Sequence, residues 1–521
     1  MLRTIIRKEL FLNIYTFRFA VGLIVCLILS AINTALLSKS YLERLERYSS
    51  SRNFHLQELR EFKVYSQVRF ELDRPPSKLW IFNRGVEEDF GGCIPVRRNL
   101  VPTILDMYGY GEVPPEKFTL WSPSRPPLPI PILEGYFTSL TSTDLTFLLQ
   151  IILSLLALLF AYDAISGERE EGTLRLNLSN PIPKARLLIG KYLGAALTLF
   201  LIVASSFIIA VLIAGISGVR FGGEEISRIG LMMFASLLYL SAFYLIGLLV
   251  SIVSERSATS LIICLFIWVF LVGIYPKASA VLVDRFIKGE PPEAAFSRMK
   301  EIWREYESRR REYIGKIRKE NPGISAGGYI SMGGRNASDP SRLKVYREDV
   351  KVFLSLTPEW CKPSVDAAVE YYRKIYSYER YAISYAERAY QVRSEAIKGT
   401  FLRRFRIYHK LQTLSPAGSY ANLTSALAQT DIGSMLHFAE EAREFRRQFI
   451  QYLYDKDAFN REEWFYCERR KPDLRGFPVF KYREEPLRAV LGRSFWDITA
   501  LLLFNLLFFM LALVSFLKKE V

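Results

Sequence analysis

Apolar residues along this chain gather into six blocks separated by strongly polar stretches. FAVGLIVCLILSAINTALL begins at Phe19 and LTFLLQIILSLLALLFAY at Leu145; a third block runs from about Leu193 to Ile216, and IGLMMFASLLYLSAFYLIGLLVSIV begins at Ile229. The fifth starts near Thr259 and fades near Tyr275 and Pro276, and the sixth runs from about Phe495 to Leu517, with Lys518 and Lys519 just beyond. At about 1.5 Å per residue, roughly 20 apolar residues in a helix cross a hydrocarbon core about 30 Å thick. A single such block fits a buried core helix; six, each nearly free of charge, predict membrane crossings. The stretch before the first block is too long for a leader, the block is of spanning length and no small-residue cleavage site follows, so it reads as a retained anchor.

Between the blocks the pattern changes. From Ser38 to Asp144, short alternating stretches such as KVYSQVRFEL and KLWIFNRG are broken by RPPS, GG and the proline-rich WSPSRPPLPIPILEG, which predicts a small β-containing region with a stiff return to the membrane. From about Ala278 to Arg493 the spacing is helical. Two amphipathic runs, Glu293 to about Glu320 and the proline-free segment from Ser364 to Leu414, flank the flexible GISAGGYISMGG. They predict a helical hairpin with tyrosines packed along its seam; stacking on a glycan or nucleic acid is the alternative use of those rings.

Charge gives the orientation. Arg3, Arg7 and Lys8 precede the first block, Arg169, Arg175, Lys184, Arg186 and Lys191 lie between the second and third, Arg256 separates the fourth and fifth, and Lys518 and Lys519 follow the sixth. With six crossings these positions share one side, and the positive-inside rule makes it the cytoplasm, with both termini there. The two long connections then face outward. The expected organisation is an amphipathic interface helix at 1–18, a first membrane helix at 19–37, a partly β extracytoplasmic region at 38–144, membrane helices two to five at 145–277 enclosing a loop at 163–191, a helical extracytoplasmic region at 278–493, and the sixth helix with a cytoplasmic tail at 494–521. The formal net charge of +16 does not indicate nucleic acid, because most of the excess lies in the second outward region, on the wrong side for DNA or RNA. An anionic surface, lipid headgroup or acidic polymer fits that face better, and plain solvation suffices.

Cys26 and Cys264 fall in membrane blocks and read as small hydrophobes. Cys93, Cys361 and Cys467 lie in the outward regions, where spacing fixes no pairing and a bond between Cys361 and Cys467 is one option. No GxxxxGK[ST], HExxH or GxSxG occurs, and His55, His409 and His437 have no ligating partner at metal-site spacing, so neither a metal nor a catalytic residue is expected. The polar residues noted inside the blocks are neutral: Asn33, Gln150, Ser154, Ser205, Ser206 and Asn505. Ion-driven carriers place charged groups at that depth. Energy is therefore expected from another protein.

The stretch DAISGEREEGTLRLNLSNPIPKARLLIGKYLG, residues 163–194, combines an acidic cluster, a GTL turn, a PxP break and a GK re-entry between two membrane blocks. It resembles the cytoplasmic loop joining the second and third membrane helices of type-2 ATP-binding-cassette (ABC) exporter permeases. LSPAGSYANLTSALAQTD, from Leu414, is similar to a segment of the branch with large extracytoplasmic domains, akin to multicopper-enzyme-maturation permeases, with Gln429 where that branch often has Gly. IIRKELFLNIYTFRF is similar to the family's short helix along the inner membrane face.

The resemblance implies a mainly α fold, with a six-helix polytopic membrane domain of the type-2 ABC exporter kind. It also implies a non-catalytic subunit in the cell membrane, paired with a second permease chain, identical or not, and docked on cytoplasmic ABC ATPase subunits that hold ATP and Mg. A helix around Gly167 to Leu174 would present Glu168, Arg169, Glu170, Glu171, Gly172, Thr173 and Leu174 to the ATPase. Gly172 allows close approach or a helix end. In the N-terminal helix Arg7, Lys8 and Glu9 are the interface residues, with Arg3, Arg7 and Lys8 on anionic headgroups and Ile5, Ile6, Leu10 and Phe11 toward lipid. Two readings follow: an ATP-driven exporter subunit, or an ATP-driven mechanical or assembly factor acting on outward partners without moving a solute. Ordinary juxtamembrane solvation of the charged loop is the plain alternative, and it does not account for the four features together.

Overall fold

The computed structural model describes residues 2–62, 64–109, 144–174, 183–288, 292–321, 365–465 and 472–519. Cys361, Cys467, the proline-rich run, GISAGGYISMGG and residues 175–182 of the charged loop lie outside the described residues. The architecture is mainly helical, and six helical stretches are long and apolar enough to cross a membrane: Phe17–Arg60, Leu145–Glu170, Lys184–Ile216, Gly223–Val253, Ser257–Phe286 and Phe495–Lys518.

A short helix, α1 (Leu2–Ile14), leads into α2 (Phe17–Glu61), capped by the Thr16 hydroxyl accepting from the Phe19 N–H at 3.2 Å. The apolar block of α2 ends near Leu37, yet the helix runs on without a break through residues rich in Glu, Arg and Ser. Hydropathy marks where a helix leaves lipid, not where it stops. The second crossing ends in α3 (Ser154–Ala161), preceded by a π turn at Leu149–Leu153. A π turn frees backbone carbonyls that lipid cannot satisfy. Here the Gln150 carbonyl accepts from the Tyr239 hydroxyl at 2.8 Å and from Ser154, whose own oxygen accepts from the Trp268 indole N–H at 2.8 Å.

After a five-residue turn of helix, α4 (Ser166–Glu170), come α5 (Lys184–Ile216), α6 (Gly223–Val253) and α7 (Ser257–Trp268). The fifth crossing does not fade at Tyr275. A π turn at Val269–Ile274 carries it into α8 (Tyr275–Phe286), with Pro276 at the tolerated first positions of that helix. α6 is the central helix, with most residues from Tyr239 to Leu248 buried against α3, α5 and the last crossing, α16 (Phe495–Lys518). α7, the π turn after it and α16 leave much of their apolar surface uncovered, including Phe266, Phe270, Leu503 and Leu506.

At the end of the bundle away from α4, strands β1 (Phe70–Asp73) and β2 (Cys93–Val96) pair antiparallel with Asp73 opposite Cys93. Helices α9 (Pro292–Glu320), α10 (Val365–Ser377), α11 (Tyr381–Gly399), α12 (Phe401–Gln412), α13 (Pro416–Leu427), α14 (Ile432–Asp455) and α15 (Leu487–Arg493) complete this end. The two long connections share one core: Val68, Phe70, Leu72, Ile94 and Val96 from the first pack with Phe438, Phe445, Phe449 and Trp464 from the second. Tyrosines do line the seam of α9 and α11, with Tyr306 5.7 Å from Tyr378 and 5.3 Å from Tyr385 between ring centroids. The proline-free run is nevertheless three helices rather than one. It breaks at a 3-10 turn, Tyr378–Arg380, which turns Tyr378 into the seam, and again after Gly399, so that Phe401 is buried against Phe90.

Asp431 caps α14 through the N–H groups of Gly433 and Ser434 and pairs with Arg493. Burial alone would raise the Asp431 carboxyl, but the Arg493 guanidinium and the Ser434 donors hold it below the ordinary carboxylate range. A depressed pKa of this kind contributes stability that is present above the unfolded value of about 3.9 and lost as pH falls through the folded one. Asp431→Asn keeps the cap and removes the charge. In thermal unfolding from pH 7 down to pH 3, the wild type is expected to lose its advantage over the variant below about pH 4.

Candidate functional site

The charged elbow between the second and third crossings is held from every side. The helix α4 is only five residues long, too short to persist alone. Ser251 of α6 stabilises its start, its hydroxyl accepting from the N–H groups of Ile165 and Ser166, each at 3.0 Å. Gly172 ends it: at φ +73 it occupies the left-handed region that glycine enters without strain, and its N–H returns to the Arg169 carbonyl at 3.1 Å.

Each predicted residue has a definite place. Glu168 faces inward and pairs with Lys191 of α5 at 2.8 Å. Arg169 reaches the last carbonyls of α6, Ser254 at 2.6 Å and Ile252 at 3.3 Å, where a cation also meets the negative end of the helix dipole. Glu170 accepts from the Ser257 N–H at 3.1 Å and from its hydroxyl at 2.6 Å, capping the positive end of α7. Leu174 is buried. Glu171, Gly172 and Thr173 are exposed, and the Thr173 hydroxyl donates to the Glu168 carbonyl at 3.2 Å. The acidic cluster is therefore split: Glu168 and Glu170 bind within the chain, and Glu171 is left facing solvent.

The N-terminal helix joins the same network. Lys191 also pairs with Glu9 of α1 at 3.3 Å, and its side chain is only 5% exposed. α1 lies close on α5 because Gly190 and Gly194 present no side chain: a Cβ on Gly190 would strike Ile5, and one on Gly194 would lie 2.6 Å from the Glu9 Cβ. Ile5 thus faces α5 rather than lipid, whereas Phe11 and Leu12 are exposed. Arg7 and Lys8 are exposed as well, Arg7 lying over the Phe11 ring. From the start of α2, Arg18 donates to Asp163 at 2.8 Å, to the Tyr162 hydroxyl at 2.8 Å and to the Leu159 carbonyl at 3.0 Å.

Sequence reading counted Lys191 only as a basic loop residue. It lies inside the long helix α5, and an ionisable side chain there was itself the signal, since it needs an acidic partner. Arg18, Ser251 and Ser257 gave no comparable signal, because their roles depend on contacts across 85 residues or more.

The second motif sits at the other end of the bundle. α13 is buried against α6 and α16, its Tyr420 ring stacked on Tyr239 at 4.6 Å and its hydroxyl 2.9 Å from that of Ser236. Asn422 and Thr413 hold the buried Asp497 of α16 at 3.1 and 2.8 Å. Gln429 adopts φ +59 just after the helix, while Thr430 N–H bonds the Ser425 carbonyl at 3.0 Å and Gln429 N–H that of Ala426. That closure is a Schellman motif, whose left-handed position favours glycine. Gln429 offsets the strain in part through its amide, which donates to the Glu485 carbonyl at 2.8 Å.

A sequence model of the ABC-2 family transporter protein matches residues 3–521. The chain belongs to this family. It is a multi-pass membrane protein, in line with its six long apolar helices. Two curated relatives match locally, each described as a probable ABC transporter permease protein NosY. The one from Pseudomonas aeruginosa is 51% identical over 67 residues, 12% of this chain and 24% of that protein. The one from Stutzerimonas stutzeri is 42% identical over 87 residues, 15% of this chain and 32% of that protein. The match thus spans about a quarter to a third of these relatives' length.

Proposed function

We propose that this ABC-2 family protein is the membrane permease subunit of an ATP-driven exporter, working beside a second permease chain and receiving mechanical work from an ABC ATPase docked at α4. The likeness to proteins described as probable ABC transporter permeases supports the class. The observation that carries the mechanism is the clasp: one short turn is bonded at once to α5, to the end of α6 and to the start of α7, and through Lys191 to α1. Force applied at Glu171, Gly172 and Thr173 would therefore reach four helices together instead of bending a loop. In this reading Glu168, Arg169 and Glu170 transmit and the exposed turn docks. ATP and Mg belong to the ATPase, the elbow faces the cytoplasm of a cell membrane, and the uncovered faces of α7 and α16 meet lipid or the second chain.

One observation favours the related reading of a mechanical factor that moves no solute. α13 wedges between α6 and α16 and leads directly into α14 of the shared far-end core, so motion of the bundle has a rigid route to that region. Vesicle transport assays separate the two: hydrolysis with rearrangement of α9 and α11 but no solute movement selects the second.

Docking is tested by co-expression with the cognate ATPase. Glu171→Arg combined with Thr173→Trp is expected to abolish co-purification while the thermal unfolding of the chain stays within about 1 kcal/mol of wild type, since both residues are exposed. Undiminished ATPase recovery with the double variant would remove α4 as the docking site.

A further inference from the structure

We propose that His55, Asp73 and Cys93 form a binding site for one borderline-soft divalent cation of the zinc type. The three are far apart in sequence, and the fold assembles them. Asp73 and Cys93 are directly opposed across the β1–β2 pair, and β2 continues on its other side to Tyr108 through reciprocal backbone bonds of 3.1 and 3.0 Å. His55 comes from the extension of α2 beyond its apolar block, one helical turn after Ser51. A histidine nitrogen, a carboxylate oxygen and the Cys93 sulfur all lie within 4.8 Å of one another.

The donor set is informative. Imidazole, carboxylate and thiol together match zinc and its neighbours rather than calcium or magnesium, which take oxygen ligands. Bonds of about 2.0–2.3 Å place tetrahedral ligands roughly 3.3–3.8 Å apart. Reaching that spacing takes a closure of up to about 1 Å from the present 4.8 Å, with the His55–Asp73 hydrogen bond of 2.8 Å opening as the metal replaces its proton and the Cys93 thiol releasing its own proton to solvent. Around it lies the second layer of bonds that metal sites use to aim their ligands. Ser51 donates to the other oxygen of Asp73 at 3.0 Å, and the Tyr108 hydroxyl lies 3.3 Å from Cys93 and bonds Glu71. Asp73 and Cys93 are buried while His55 is partly exposed, so the cation has an entry on the His55 side. Three protein ligands leave a fourth position open, as in sites that exchange water or a ligand. This inference is independent of the transport reading.

The test uses the full-length chain in detergent, reduced and stripped with a chelator, then titrated with Co(II) as a spectroscopic stand-in for zinc. The expected result is a thiolate-to-cobalt charge-transfer band that saturates at one equivalent and is displaced by Zn(II). Cys93→Ser is expected to abolish the band, and His55→Ala to weaken binding by about tenfold or more. Since Cys93 is buried, His55→Ala also serves as the variant whose folding is least at risk, and the rise in unfolding temperature produced by zinc in the wild type should be absent from it. No band in the wild type, or a band that survives Cys93→Ser and so belongs to another cysteine, overturns the proposal.

Discussion

Lys191→Met is expected to release α1 and α4 from α5 and, under the proposed coupling, to disconnect the protein from an ATPase docked at α4. The substitution keeps the length and packing of the stem but leaves Glu9 and Glu168 facing one another, 12% and 21% exposed, without the cation both of them bind. Removing one partner of a buried ion pair costs about 3–5 kcal/mol, because the remaining charge is desolvated and unpaired. Thermal unfolding in detergent should show a clear loss, and hydrolysis by the proposed ATPase should no longer respond to this chain. The charge argument has its own control. Lys191→Met combined with Glu9→Gln and Glu168→Gln removes the stranded carboxylates and should recover most of the stability, a non-additivity expected only of directly interacting groups. If the single variant unfolds at the wild-type temperature and keeps its coupling, the elbow is not held by this network.

The other large effect is expected at the far end of the same helices. Tyr420 is fully buried, stacked on Tyr239 and bonded to Ser236, which pins α13 to α6. Tyr420→Ala opens a cavity between α13 and α6 and should cost about 3–5 kcal/mol, the range for deleting a buried aromatic side chain. Tyr420→Phe retains the ring and loses only the hydroxyl bond, for about 0.5–1.5 kcal/mol. Comparing the unfolding midpoints of the two variants separates packing from hydrogen bonding. Equal losses in both would mean that the stacked ring contributes little and that α13 is anchored elsewhere, through Asn422 and Asp497.

These two sites differ in how much of them was legible beforehand. The elbow was marked by composition, since an acidic cluster, a glycine turn and a proline break between two apolar blocks stand out in one dimension. What each residue does there was not. Glu168 and Glu170 have the same chemistry and sit two positions apart, but one turns inward to Lys191 and the other caps α7. The expectation that Ile5 faces lipid went wrong for a related reason: its neighbour is Gly190, far along the chain, and the absence of a side chain carries no polarity signal. Conversely, the conformation of Gln429 was legible only in the backbone, whose positive φ there no hydropathy pattern reveals.

The sequence by itself determined the six crossings, the family and the position of the elbow, because bilayer thickness imposes a length that apolar blocks either meet or miss. Local periodicity likewise predicted helices at α9 and from α10 to α12. Tertiary structure alone decided that α2 continues past its apolar block, that the two long connections share one core, and that His55, Asp73 and Cys93 converge. The physical reason is the range of the forces. Crossing a membrane is a property of some twenty consecutive residues, whereas a buried ion pair or a convergent set of donors depends on residues that only folding makes neighbours.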